Sequence, residues 1–227
     1  MDLLKFFEND QPDRVTVIGD VMIDRYIHGK ISRISPEAPV PVFHRSHSTQ
    51  TVGGAGNVAA NIVSLGGRTG LLSYTCDDAA RLDLLDLCTG YGLDTSLLIP
   101  SAERCTISKS RFVCAGQQVL RYDEEEALPL SVAETDRIRE ELDREIENSS
   151  VVVISDYGKG LFLHSLAQDV IKRCRALKVP VIVDPKGTDY SKYHGATTVT
   201  PNLKELGEAV GRQLSTDDEV VAAGREL

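Results

Sequence analysis

The sequence predicts an α/β sandwich with a mostly parallel sheet and a small β-sheet lid. Two uninterrupted apolar runs, 151–155 (VVVIS) and 179–184 (VPVIVD), are typical of strands buried on both faces of a parallel sheet. Helix-like stretches separate such runs at the spacing of strand–helix–strand units. The segments 24–45 and 104–122 break this alternation, because one is punctuated by prolines and the other resembles a hairpin. We assign these two segments to the lid of a single domain spanning 1–227.

The remaining strands follow from shorter patterns. β-branched and apolar residues at 14–20 and 69–75 predict two more core strands, and 197–201 (TTVTP) predicts a weaker last one. In the lid, the polar-apolar pattern after Arg104 predicts a hairpin that turns at Ala115–Gly116. The lid also carries apolar residues that we expect to be exposed, namely Ile31, Ile34, Val40 and Val42.

Capping residues predict where the helices begin. Ser131 and Glu134 form an S-x-x-E capping box, which opens a helix to about Glu147. A second helix, about Ser165–Leu177, connects the two clearest strands. Further helix starts are expected at Asp77 or Asp78, with an end near Gly90 or Gly92, and at a Thr216–Glu219 capping box.

Composition excludes several classes of function. The net charge of −9 argues against nucleic-acid binding, which needs a basic surface. The five cysteines contain no CxxC pair and the five histidines no HExxH spacing, so neither a disulfide framework nor a zinc site is predicted. The N-terminal MDLLKFFEND has acids on both sides of a short apolar patch, unlike a signal peptide or membrane span. We therefore expect a cytoplasmic protein without a membrane partner.

A glycine-rich stretch, VGGAGNVAANIVSLGG at 52–67, opens a helical pattern. Residues 54–59 match the GxGxxA dinucleotide fingerprint, but the preceding residues are too polar for the buried strand that this fingerprint requires. No GK[ST] follows, so a P-loop is excluded. A turn that merely starts a packed helix is the plain alternative. Asn57 favours a ligand with hydroxyl groups, because its amide both donates and accepts hydrogen bonds.

Several motifs in a fixed order give the sequence a specific resemblance. From about Val15 to the end it resembles the ribokinase-like carbohydrate kinases, and most closely the members that phosphorylate D-glycero-β-D-manno-heptose 7-phosphate. The motifs are GDVMIDRY (19–26), SRISPEAPVPV (32–42), GGAGNVAANI (53–62), SDYGKG (155–160), VDPKGTDYSKYHGATTVTPN (183–202) and LKEL (203–206).

The resemblance implies a reaction and a sugar site. It implies transfer of the ATP γ-phosphoryl group, with Mg²⁺, to the anomeric hydroxyl, which gives the heptose 1,7-bisphosphate for ADP-heptose and lipopolysaccharide core synthesis. In such kinases the glycine-rich segment holds the sugar, here through Gly53, Gly54 and Asn57. Asp24 is implied to accept hydrogen bonds from sugar hydroxyls; the alternative is a lid-hinge acid paired with Arg25 or Arg33.

Charged residues are implied to hold the substrate phosphate and to border the sugar pocket. Lys109 and Arg111 lie two apart in the hairpin and so share a face. In related phosphosugar kinases cations of this strand hold the existing phosphate, although alternating charges on a solvated face remain an alternative. Asp156 and Lys159 follow a core strand and are implied to border the sugar, with a capped turn as the alternative.

The nucleotide side is implied by the last motifs. Lys186 is positioned to approach the nucleotide phosphates. Asn202 and Glu205 form an N-x-x-E pair, which by spacing is a plain capping box. The resemblance adds that this pair organises Mg²⁺ through water and the phosphate chain, so Glu205 is the expected metal-side residue.

One family feature is missing from the sequence. The family's GAGD motif supplies the aspartate base and an anion hole, and no GAGD occurs in residues 1–227. We therefore expect the base beyond Leu227 and a chain that is an incomplete kinase. The open alternatives are a kinase for another phosphosugar, a non-catalytic sugar-phosphate-binding module and, least supported, a nicotinamide enzyme. A homodimer through the lid is also expected.

Overall fold

Six parallel strands form the core sheet of the computed structural model, which describes residues 14–227. Their spatial order is β10-β9-β8-β1-β4-β5. Every neighbouring pair is parallel, so all six strands present their carboxyl ends at one edge. The strands are β1 (Arg14–Gly19), β4 (Arg68–Cys76), β5 (Leu98–Ser101), β8 (Val151–Ser155), β9 (Val181–Asp184) and β10 (Thr198–Val199).

Helices cover both faces of this sheet, as expected for buried parallel strands. On one face α3 (Val132–Glu147) and α4 (Leu166–Leu177) pack against the sheet around Ile18 and Ile154. On the other face α1 (Ala55–Ser64) and α2 (Ala79–Gly90) pack against Val17 and Leu71. Two shorter elements, α5 (Leu203–Ala209) and α6 (Asp217–Glu226), share a small apolar cluster, and a 3₁₀ turn spans Ser191–Tyr193.

The lid is a separate four-stranded sheet in the order β3-β2-β6-β7. Its strands are β2 (Val21–Ile34), β3 (Pro41–Gly54), β6 (Ser108–Cys114) and β7 (Gln117–Glu124). Ala115 and Gly116 both have positive φ, 50° and 79°, which is the backbone that a two-residue hairpin turn requires. The predicted hairpin and its turn are therefore confirmed.

The observed boundaries confirm most of the expected helices, but they differ from the expected bounds of the lid segments. Asp78, not Asp77, caps α2, since its side chain accepts from the Arg81 amide. The capping boxes that open α3 and α6 are both formed. The lid strands extend beyond the expected segments because the polar residues before Gly53 continue β3 as a lid strand rather than a core strand.

Exposure of the lid differs from the expectation at two positions. Ile34 and Val40 are 61% and 51% exposed, as predicted, whereas Ile31 and Val42 are half-buried. The lid also exposes three apolar side chains of β7 that its sequence pattern did not indicate, namely Val119, Leu120 and Tyr122. No helix within residues 14–227 is long and apolar enough to cross a membrane. The segment MDLLKFFEND lies outside the described residues.

Candidate active site

Three aspartates meet at the carboxyl edge of the core sheet. Asp20 follows β1, Asp156 follows β8, and Asp184 ends β9. The strand register places these ends side by side, since Gly19 pairs with Ser155, which in turn pairs with Asp184. Ligands of open α/β sheets bind at this edge, and β2 leaves the core for the lid at the same place.

Asp20 fastens the loop after β8 to the end of β1. Its side chain is fully buried and accepts hydrogen bonds from the backbone amides of Tyr157 at 3.0 Å, Lys159 at 3.1 Å and Leu161 at 3.4 Å. Burial raises the pKa of Asp20, and the neighbouring Asp156 charge adds to this, while the loop amides act in the opposite direction. The carboxylate therefore fixes the loop that carries Asp156 and Lys159.

The glycine-rich segment meets the same point. The Ala55 amide, the first of α1, donates to the Asp20 carbonyl at 3.0 Å. Gly54 has a φ of 59°, and a Cβ there would overlap that carbonyl. A Cβ on Gly53 would overlap the Asp24 carboxylate. These glycines thus bring the backbone close to two carboxylate-bearing residues, and Asn57 stands exposed in the first turn of α1.

Asp24 and Arg111 form an ion pair across the lid strands. Arg111 Nη1 donates to Asp24 Oδ1 at 2.5 Å, and both side chains are 22% exposed. The Asp24 hydrogen bond raises the pKa of Arg111, and the guanidinium lies 5.3 Å from the centre of the Tyr26 ring. Among the described residues neither Arg25 nor Arg33, the expected alternative partners, forms an ion pair with Asp24, and Arg25 instead pairs with Asp83 and Glu124.

Lys109 and Lys159 converge on one carboxylate, that of Glu125. Glu125 accepts from Lys109 Nζ at 2.5 Å and from Lys159 Nζ at 2.7 Å, and Asp123 also pairs with Lys109 at 3.1 Å. Burial alone would raise the pKa of Glu125, but the two lysines outweigh it and hold the pKa below its ordinary value. Lys109 and Arg111 are thus paired with acids of the lid and its connection to the core, rather than lying on a freely solvated face.

Asp156 is buried among three donors. Its carboxylate accepts from Lys192 Nζ, the Tyr193 hydroxyl and the Gly158 amide, each at 2.7 Å. The Tyr193 hydroxyl in turn accepts from the Lys186 amide at 3.0 Å. Burial raises the pKa of Tyr193, and the adjacent Asp156 charge raises it further. Asp156 therefore connects the loop after β8 to the DPKG loop after β9.

The nucleotide-side residues lie beyond β9 and β10. Lys186 Nζ lies 3.3 Å from Glu205 Oε1. Asn202 and Glu205 form both hydrogen bonds of a capping box at the start of α5, so the predicted capping box is confirmed. Burial raises the pKa of Asp184, and the Glu205 charge adds to this while Lys186 opposes it. Two carboxylates and one lysine therefore share this end of the site.

Sequence reasoning missed four residues of this arrangement. Asp20 is the last residue of the predicted core strand 14–20, and that position was the available signal. Asp184 also ends a predicted strand. Glu125 lies within the acidic run DEEE, which resembles a solvated surface, and Lys192 lies inside a motif without a role of its own.

The parallel core sheet and the small lid sheet together define a ribokinase-like α/β sandwich. The sequence model of the pfkB family carbohydrate kinases matches residues 12–227, and the chain belongs to that family. It is 49% identical over 213 residues to the bifunctional protein HldE of Mesorhizobium japonicum, covering 94% of this chain and 43% of that protein. It is 42% identical over 214 residues to the bifunctional protein HldE of Paramagnetospirillum magneticum, covering 94% of this chain and 44% of that protein. The chain therefore spans less than half the length of these relatives.

Solved structures share the fold at lower identity. Arabidopsis thaliana ribokinase complexed with ribose and ATP matches with a TM-score of 0.70 and 16% identity, covering 95% of this chain and 68% of that one. Phosphofructokinase-2 from Escherichia coli in complex with potassium matches with a TM-score of 0.72 and 21% identity, covering 94% and 68%. The confirmed fold is thus the expected ribokinase-like sandwich with a lid.

Proposed function

We propose that the protein transfers the ATP γ-phosphoryl group to the anomeric hydroxyl of D-glycero-β-D-manno-heptose 7-phosphate, which gives the 1,7-bisphosphate. The observation that carries this proposal is the meeting of a sugar-type acceptor, Asp24, with the cations Lys109, Arg111 and Lys159 between the lid and the core. The motif resemblance to heptose 7-phosphate kinases supports the choice of sugar. ADP-heptose synthesis for lipopolysaccharide core is the corresponding role.

The sugar is held between the glycine-rich segment and Asp24. Gly53 has no side chain, so the Asp24 carboxylate lies directly against the backbone of the glycine-rich segment, and one hydroxylated ligand would bond to both. Arg111 fixes the carboxylate oxygen that faces it, which orients the other oxygen. Asn57 offers its exposed amide from the first turn of α1.

The substrate phosphate binds to the lid cations. Lys109 and Arg111 lie two residues apart on β6, and Lys159 reaches the same region from the core. Their ion pairs with carboxylates of the chain support this assignment, because a carboxylate carries the same kind of negatively charged oxygen atoms as a phosphate. Asp156 and Lys159 border the sugar, with Asp156 acting through the loops that it joins.

ATP and Mg²⁺ fit the other end of the site. The Glu205 charge adds to the cost of ionising the half-buried Asp184 there, and a divalent cation would relieve that repulsion. Glu205, through water, and Asn202 would hold the metal side, and Lys186 would hold nucleotide phosphates. Bound Mg²⁺ would neutralise phosphate charge during transfer.

The catalytic base is proposed to lie outside residues 1–227. The acids at this edge already have partners in the described chain, apart from Asp184: Asp20 holds the loop amides, Asp24 pairs with Arg111, and Glu205 caps α5. A family GAGD would supply both an acceptor for the proton and backbone donors for the developing charge. The alternatives, another phosphosugar as substrate or a non-catalytic binding role, are separated by the turnover test below.

A homodimer through the lid is proposed from its exposed apolar residues. Ile34 and Val40 lie on the β2–β3 part, and Val119, Leu120 and Tyr122 lie on β7, each about half exposed or more. Apolar residues gathered on one small sheet favour association. Sedimentation at micromolar concentration should give the dimer mass, and a monomer would contradict this assignment.

Product identification tests the proposed function. The full-length protein is incubated with ATP, Mg²⁺ and heptose 7-phosphate, and ³¹P NMR follows the products. We expect one ADP per new anomeric phosphate ester. Turnover with other phosphosugars but not with this heptose would contradict the substrate, and sugar binding without turnover would favour the non-catalytic alternative.

A further inference from the structure

We propose that Glu125 is a specificity-determining counter-ion that occupies, between Lys109 and Lys159, the place taken by the substrate phosphate. The inference rests on the proposed function, which puts both lysines at the substrate. By competing for these cations, Glu125 weakens the binding of anions at this place, most of all anions with less negative charge than a phosphate monoester. Among residues 14–227, Glu125 is the one carboxylate that bonds both lysines.

The geometry describes a small site for an anion. Glu125 Oε2 accepts from Lys109 at 2.5 Å and Oε1 accepts from Lys159 at 2.7 Å. The Lys109 side chain is 13% exposed, that of Lys159 is 21% exposed and that of Glu125 is 25% exposed, so all three are partly shielded from water. Because both ammonium groups contact one carboxylate, they flank a space that suits one small anionic group.

The two lysines are held more firmly than the carboxylate between them. The Lys159 amide donates to Asp20, and its carbonyl accepts from the Tyr74 hydroxyl at 2.5 Å. Lys109 lies inside the lid sheet, with strands on both sides. Glu125 lies one residue past the end of β7, in the connection to α3. Of the three groups, Glu125 is therefore the one that can move away with the least disturbance.

A phosphate monoester can replace this carboxylate, whereas a neutral sugar cannot. The monoester carries a charge of about −1.5 to −2 near neutral pH and three terminal oxygens, against one charge and two oxygens for the carboxylate. Asp123, which lies 3.1 Å from Lys109 Nζ and 3.0 Å from Arg121 Nε, need not leave in this exchange. The exchange thus frees Lys159 completely and Lys109 in part.

Binding measurements with charge-matched variants test the competition. Calorimetry on the full-length protein gives dissociation constants for heptose 7-phosphate, for the same heptose without phosphate, and for inorganic phosphate. Glu125→Gln removes the competing charge, and Glu126→Gln removes the same charge from the exposed neighbouring residue. We expect Glu125→Gln to tighten heptose 7-phosphate and inorganic phosphate by about threefold or more, the size of a typical partly exposed ion pair. The unphosphorylated heptose and the Glu126→Gln variant should show no change.

If Glu125 competes with phosphate for the lysines, its removal must tighten phosphate binding. Unchanged or weaker phosphate binding in Glu125→Gln would therefore overturn the inference. Glu125→Ala repeats the test if the amide variant does not fold. A Lys109→Met variant distinguishes an error in the proposed phosphate site from an error in the role of Glu125. If it leaves the affinity for heptose 7-phosphate unchanged, the proposed phosphate site is wrong. If it weakens that affinity while Glu125→Gln tightens nothing, only the role of Glu125 fails.

Discussion

Asp24 and Arg111, 87 residues apart in sequence, share a hydrogen bond of 2.5 Å between neighbouring lid strands. Register places Asp24 opposite Lys109 and Arg111 opposite Tyr26, so acid and cation occupy one face of the lid sheet. On the same side, Gly53 leaves no side chain beside the Asp24 carboxylate. The pair therefore joins the part of the site assigned to sugar hydroxyls with the part assigned to the substrate phosphate.

Asp24→Asn should weaken sugar binding and leave the fold intact. The amide keeps the volume but removes a charged acceptor, and loss of one charge-assisted hydrogen bond costs roughly 1.5–3 kcal/mol. Titration of the full-length variant with heptose 7-phosphate measures the loss. Asp83→Asn is the control, because it removes a carboxylate that pairs with Arg25 at the lid–α2 contact instead. Binding as tight as wild type in Asp24→Asn would reduce Asp24 to a structural partner of Arg111.

Tyr193→Phe should destabilise the folded chain. Its hydroxyl donates to the buried Asp156 and accepts from the Lys186 amide, and deleting it leaves both groups short of a partner. The expected loss is about 1–3 kcal/mol in the free energy of unfolding by urea. Tyr190→Phe is the matched control, because the buried Tyr190 hydroxyl has no hydrogen-bond partner among the described residues. Equal stability of the two variants would contradict the role given to the Asp156–Tyr193 bond.

Asp20 should give the stability an acid-side pH dependence. Its pKa is raised above the ordinary 3.8, mainly by burial, so the folded state binds this proton more tightly than the unfolded state. Its contribution is therefore fully present below the ordinary pKa and is lost as pH rises through the raised folded pKa. The stability difference between wild type and Asp20→Asn should shrink from acidic to neutral pH in urea titrations. A difference that grows with pH would show that the loop amides outweigh burial.

The sequence predicted the elements of the fold more completely than the contacts of the site. Residues 151–155 carry the local signal of an apolar strand, and residues 115–116 carry that of a tight turn. Both elements lie where expected. Asp20 acts across 137 to 141 residues, a contact that no local pattern encodes. Glu125 is one of four consecutive acids, and only the folded lid shows that it faces two lysines.

Residues 1–227 alone should show only trace phosphoryl transfer. A general base typically contributes about 10²–10⁴-fold and an anion-hole donor roughly another 10²–10³-fold. A coupled ADP assay with ATP, Mg²⁺ and heptose 7-phosphate measures the rate. Asp184 is the edge carboxylate whose side chain makes no hydrogen bond within the described residues, so Asp184→Asn is the informative variant. Robust turnover that this substitution abolishes would place the base at Asp184.

We propose that the lid and the core edge together recognise a phosphosugar by its phosphate. The most direct measurement compares the dissociation constants of heptose 7-phosphate and unphosphorylated heptose, for the full-length wild type and for a Lys109→Met, Arg111→Met double variant. We predict that wild type prefers the phosphorylated sugar by about tenfold or more, the effect of one or two charge-assisted hydrogen bonds, and that the double variant loses this preference. Equal binding of both sugars by wild type, or a preference that survives in the double variant, would contradict the account.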